Sequence, residues 1–159
     1  GPPGTGKTSI ARTIPKELKN SHFHEISAVS SGTSELKELF KLGKDISLSG
    51  KKLILFVDEI HYFNKLQQDM FLPFIEEGTI GLIGATSQNP SFQLNAALLS
   101  RSLVYQFEKL SEEKSLLKLM NDKLVHSVVT RCLRQKGAEH LTFFLTANHK
   151  SHGALSMSD

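Results

Sequence analysis

The first eight residues, Gly1-Pro2-Pro3-Gly4-Thr5-Gly6-Lys7-Thr8, have the types and spacing of a phosphate cradle, G-x-x-x-x-G-K-[ST]. Glycines at these places let the backbone curl until its N–H groups face phosphate oxygens. Lys7 adds a point charge suited to β- and γ-phosphates, and the Thr8 hydroxyl is a ligand for Mg²⁺. A second group follows: the apolar run Leu53-Ile54-Leu55-Phe56-Val57 ends in Asp58-Glu59. Phosphoryl hydrolysis needs a metal to offset phosphate charge and a group to orient water. Asp58, at a strand end, suits Mg²⁺ through one of its waters, and Glu59 suits a general base. A strand ending in two acids is by itself ordinary; the phosphate cradle upstream is what favours the chemical reading.

Two further places carry weaker signals. Gly84-Ala85-Thr86-Ser87-Gln88-Asn89-Pro90 gathers hydroxyls and amides after an apolar stretch. Thr86 or Ser87 could position water or touch a γ-phosphate, although a polar turn before Pro90 explains the composition equally well. Arg101 follows the short apolar run at Leu98-Leu99. An arginine there is either simply solvated or a finger that neutralises transition-state charge, a role worth ~10³–10⁵ in rate. His22, His24, His61, His126, His140, His149 and His152 lack the spacing of a metal site. Cys132, the single cysteine, reads as a small buried apolar residue and has no internal disulfide partner.

These residues need elements to hold them. Lys7 to Ile14 is expected as the helix whose N-terminus faces the phosphates, stopped early by Pro15. His22 to Ser27 alternates like a short strand. Ser34 to Leu42 places Leu36, Leu39, Phe40 and Leu42 at helical spacing. Ser34 reads as its N-cap, but Lys37 stands where a capping glutamate would, so no capping box is expected. The unalternated run from Leu53 predicts a strand buried on both faces, as in a parallel sheet. Asn64 to Glu76 is expected as a helix, Ile80 to Ala85 as another buried strand, Asn95 to Arg101 as a short helix and Leu103 to Phe107 as a last strand. From Ser111 onward the pattern is helical. Strands alternating with helices, followed by helices alone, predict an α/β domain with a helical appendage, divided near Lys109.

Length allows one domain or one and part of another, and no apolar run approaches a membrane span. The chain has no Trp and ten Phe, so aliphatic and phenyl groups must fill the core. The net charge of +3 arises beyond residue 108. Such an excess can favour nucleic acid, but a solvated helical surface has the same look. A single cysteine agrees with a reducing compartment. A phosphate cradle ordinarily follows a buried strand, so the chain is expected to be a fragment that starts one strand late.

Taken together, GPPGTGKT and LILFVDEIHYFNKLQQDMFLPFIEEGTIGLIGATSQNPSFQLNAALLSR resemble AAA+ ATPases of the clamp-loader clade, and within it the replication-associated recombination protein A and Werner helicase-interacting protein family. The resemblance covers residues 1 to about 110. It implies a P-loop NTPase core over 1–109 with parallel strands in the order 5-1-4-3-2, strand 1 missing, and a partial, degenerate helical lid over 110–159. It implies that Gly1 to Thr8 and Asp58 bind ATP, with Thr8 and Asp58 at Mg²⁺. Glu59 would be the Walker B base, Ser87 with Thr86 the polar sensor, and Arg101 a finger acting in trans between subunits. It further implies a homo-oligomer working with replication and repair proteins on DNA, at replication forks and single-strand/double-strand junctions. The expected location is nuclear in a eukaryote or the nucleoid of a bacterium.

Departures from the family pattern are Tyr62 in place of Arg and Gln88 in place of Glu. In the tail, Leu141 to Leu155 is weakly similar to the lid helix region, and there the sensor 2 arginine falls on His152. Neutral imidazole is a poor substitute for a permanent cation. With strand 1 absent, strand 5 is expected to stand apart from strand 4, its backbone groups unpaired. A nucleotide-dependent interaction module, or an inert fragment without efficient hydrolysis, is therefore the alternative expectation.

Overall fold

The computed structural model describes Ala11, Arg12, Leu18, 20–107 and 142–147. The phosphate cradle, most of the helix expected after it, Cys132 and His152 lie outside the described residues. Five parallel strands form one sheet in the order β1-β2-β3-β5-β4. They are β1 (Ser21–Ser27), β2 (Lys52–Asp58), β3 (Ile80–Thr86), β4 (Leu103–Phe107) and β5 (Thr142–Ala147). Every adjacent pair is parallel.

The middle of the sheet has the two-sided burial that the apolar runs predict. Leu53, Leu55, Val57, Ile80 and Leu82 join one core cluster, while Ile54, Phe56, Ile83 and Ala85 are also buried. Phe23 of β1 stacks on Phe56 with ring centroids 6.5 Å apart. Against the core face lies α1 (Thr33–Leu48), which buries Leu36, Leu39 and Phe40. Phe40 stacks on Phe74 at 4.3 Å and meets Phe71 edge-on at 5.2 Å. Helix α1 begins one residue before the expected N-cap, with Gly32 in the capping position. Ser34 lies inside the first turn, so its hydroxyl is not the cap. The helix also runs past Leu42, because Gly43 permits a close approach to the sheet. A Cβ there would stand 2.8 Å from Ile80 Cγ1. Gly50, at φ 73°, closes the helix with its N–H on the Ser47 carbonyl 3.0 Å away.

The single helix expected from Asn64 to Glu76 is divided. It forms α2 (Lys65–Asp69) and α3 (Leu72–Glu76). Pro73 has no N–H to give, and its ring would clash with the carbonyl four residues earlier in a continuous helix. It is accommodated in the first turn of α3 instead. Two short helices, α4 (Pro90–Gln93) and α5 (Ala96–Ser100), separate β3 from β4.

The tail supplies the largest departure. Residues expected in a lid helix region form β5, between β3 and β4. Leu82 to Thr86 pair with Thr142 to Thr146 on one side. Leu103 to Phe107 pair with Phe143 to Ala147 on the other. This is the position that the family order gives to strand 1, so β4 does not stand apart. The segment TFFLTA is rich in β-branched and aromatic residues, which favour strands. Both flanking strands also present backbone donors and acceptors that would be costly to bury unpaired.

Candidate active site at the carboxyl edge of the sheet

Strands β2 and β3 run in the same direction, and their ladder ends with Val57 opposite Gly84. The residues just beyond must therefore emerge side by side. In open parallel sheets that edge is where ligands gather. Asp58 closes β2 and Glu59 turns the chain, at φ 50° and ψ 46°. The left-handed region is uncommon for a residue with a Cβ, and strain of this kind concentrates at functional sites. A 3-10 turn at Ile60–Tyr62 follows, anchored by fully buried Ile60.

The strained turn aims the Glu59 carboxylate at the end of β3. Its Oε2 accepts the Ser87 backbone N–H at 3.0 Å and the Ser87 hydroxyl at 2.9 Å. The same oxygen lies 3.2 Å from His61 Nδ1. Nδ1 is also 3.0 Å from Thr86 Oγ1. Thr86 is fully buried, and its hydroxyl oxygen accepts the Gln88 N–H at 3.1 Å. Asp58 uses Oδ1 to accept the Glu59 N–H at 3.1 Å. Asp58, Glu59, Thr86 and Ser87 thus share one small polar cluster at the end of two buried strands.

Among the described residues no three His, Cys, Asp or Glu side chains gather as a metal cluster. Asp58 offers a single hard oxygen ligand set at a partly exposed strand end. That suits Mg²⁺, which is bound through one or two carboxylates together with substrate phosphates and several waters.

Arg101 is held elsewhere. It is the C-cap of α5. Its Nη2 lies 2.6 Å from Glu76 Oε1, with side chains 42% and 51% exposed. Its Nη1 donates to the Ala97 carbonyl at 3.0 Å. Two residues that sequence reasoning passed over place this helix. Buried Gln68 donates to the carbonyls of Phe63 at 2.8 Å and Gln93 at 3.2 Å, and accepts the Asn95 N–H at 2.9 Å. Asn95 in turn caps α5 by accepting the Leu98 N–H at 2.8 Å. The sequence signal for Asn95 was its place just before an apolar helix. Gln68 gave none, because nothing local marks a polar side chain as buried.

Next to the expected site, Asn64 and Gln67 form a complete capping box at the start of α2. On the other flank, Glu25 of β1 holds Arg12 through a two-pronged contact at 3.0 and 3.2 Å. That hydrogen bond, and then the carboxylate charge, raise the Arg12 pKa above its ordinary value.

The model of the ATPase family associated with various cellular activities (AAA) matches residues 1–112. The chain belongs to that family. It is 52% identical over 126 residues to the replication-associated recombination protein A of Escherichia coli strain K12, a match covering 77% of this chain and 28% of that protein. With the Haemophilus influenzae protein of the same name it shares 54% identity over 111 residues, 70% of this chain and 25% of the relative. It is 52% identical over 113 residues to ATPase WRNIP1 of Dictyostelium discoideum, covering 71% of this chain and 13% of that relative. The chain therefore spans about a quarter or less of the length of these relatives. No helix among the described residues is long and apolar enough to cross a membrane.

Proposed function

We propose that this chain is the ATP-hydrolysing core of an AAA+ assembly that works on DNA in replication-fork maintenance and repair. Gly1 to Thr8 cradle the triphosphate, and Thr8 and Asp58 hold Mg²⁺. Bound Mg²⁺ would offset the phosphate charge. Glu59 orients and deprotonates the attacking water. Ser87, with Thr86 behind it, is the polar group that reads the γ-phosphate. Arg101 enters the site of a neighbouring subunit. The part of 110–159 that lies outside β5 is the remnant of the lid.

One observation carries the hydrolytic reading. The Glu59 carboxylate is tied to both the N–H and the hydroxyl of Ser87, next to Asp58, at the carboxyl edge of the sheet. A general base needs a fixed direction before substrate arrives. The role in DNA maintenance rests on the names of the relatives, two of which are replication-associated recombination proteins. Nuclear or nucleoid location follows from the same reading.

The test is Mg-ATP turnover by the full chain, with and without forked DNA. Glu59→Gln is expected to bind nucleotide and lose turnover by ~10²-fold or more. Turnover at the wild-type level in that variant would remove Glu59 from the chemistry. Mixing Arg101→Ala with Glu59→Gln subunits should restore part of the activity, since each supplies what the other lacks. A mixed oligomer without any recovery would rule out a finger acting between subunits.

A further inference from the structure

We infer that His61 is a positioning residue for the Glu59 carboxylate: its Nδ1–H completes a three-donor clamp on Oε2 and leaves Oε1 to face water. The inference rests on the proposed role of Glu59 and adds a residue that the phosphate-cradle and strand-end motifs do not include.

The geometry is specific. Three nitrogen or oxygen atoms converge on one carboxylate oxygen: Ser87 N at 3.0 Å, Ser87 Oγ at 2.9 Å and His61 Nδ1 at 3.2 Å. An ionised carboxylate only accepts hydrogen bonds. A bare Nδ1 lone pair facing the carboxylate would be repelled, which favours the tautomer with the proton on Nδ1 over the one in which the Thr86 hydroxyl donates to that nitrogen. Its second neighbour, Thr86 Oγ1 at 3.0 Å, can accept from the same N–H. The carboxylate thus selects the ring tautomer, and the ring in turn fixes the carboxylate.

The surroundings suit a locator. The His61 side chain is 6% exposed while Glu59 is 27% exposed. The ring lies under Tyr62, with centroids 4.5 Å apart and planes tilted by 36°. Tyr62 is itself exposed, so it screens the imidazole from water on that side. Low local dielectric strengthens the contact. Placing His61 two residues after Glu59, on a 3-10 turn pinned by Ile60, brings the ring back onto its own neighbour's carboxylate. The clamp also links Glu59 to the end of β3 by a second route, through Thr86. The left-handed backbone at Glu59 costs free energy and persists only where surrounding contacts hold it, and the contacts to Oε2 are among these.

The experiment measures kcat and KM for ATP in the full chain for wild type, Glu59→Gln, His61→Leu and His61→Asn. His61→Leu is expected to lower kcat about tenfold and leave KM unchanged, as misdirection of a base should. His61→Asn, whose amide N–H reaches the place of Nδ1, should return kcat to within about threefold of wild type. Wild-type kcat in His61→Leu, with turnover abolished in Glu59→Gln, would overturn this inference alone. Equal losses in Leu and Asn variants of unchanged melting temperature would also overturn it. If Glu59→Gln keeps its turnover, the role of Glu59 fails first and the clamp goes with it. Should His61→Leu not fold, the ring ¹⁵N signals of the wild-type protein decide: Nδ1 must carry a proton across roughly pH 6–9, and a neutral ring protonated only on Nε2 overturns the assignment.

Discussion

Glu59 and Arg101 are charged groups proposed for the same reaction, yet the molecule holds them in opposite ways. Glu59 sits at the end of two buried strands, in a strained turn, with its Oε2 surrounded by three polar atoms of two residues. Arg101 sits on a five-residue helix at the surface and meets an equally exposed Glu76. The first arrangement supplies direction, and the second supplies reach. A base must be aimed before water arrives, so its partners belong to its own chain. A finger must be free to move to another subunit, and an exposed ion pair costs little to break.

That contrast can be broken or sharpened by experiment. The largest effect is expected from Arg101→Ala, with turnover down ~10³-fold or more while nucleotide affinity is kept. Single-turnover kinetics beside equilibrium binding would check it. A similar loss of binding would place Arg101 in ground-state contacts instead. Glu59→Gln should come next, at ~10²-fold or more in turnover.

The remaining tests concern stability. Gln68→Leu strands the buried Phe63 carbonyl and leaves the part-buried Gln93 carbonyl and Asn95 N–H without their partner. A loss of about 1–3 kcal/mol is expected in denaturant unfolding, because the buried Phe63 carbonyl loses its partner without gaining water. A loss below ~1 kcal/mol would mean that water replaces the amide. Asn64→Ala removes the accepting half of the capping box and should cost about 1 kcal/mol. Smallest of all, Glu76→Gln should change stability by less than ~0.5 kcal/mol. A larger cost would mean that the Arg101–Glu76 pair is a structural anchor, and the contrast with Glu59 would weaken.

Legibility in the sequence followed the range of the interactions involved. The β2 and β3 strands were readable because parallel strands covered on both faces give unbroken apolar runs, and these run from Leu53 to Val57 and from Ile80 to Ala85. Asp58 and Glu59 were readable because they end such a run. The division between α2 and α3 was also written locally, in Pro73, but the apolar spacing on either side of it masked the break. His61 and Gln68 were not readable at all. One is an unremarkable histidine and the other an unremarkable amide until folding brings Glu59, Ser87, Phe63 and Gln93 around them.

By itself, then, the sequence determined the chemical inventory: a phosphate cradle, a strand-end acid pair, a polar segment after β3 and an arginine after a short helix. It also determined most elements, since these depend on periodicity, proline and caps acting over a few residues. Tertiary structure alone decided that Thr142–Ala147 enters the sheet between β3 and β4, because pairing between backbone segments far apart in the chain leaves no local mark in the sequence. It alone decided which oxygen of Glu59 is bound and by whom. Those contacts join residues whose nearness exists only after the sheet has formed.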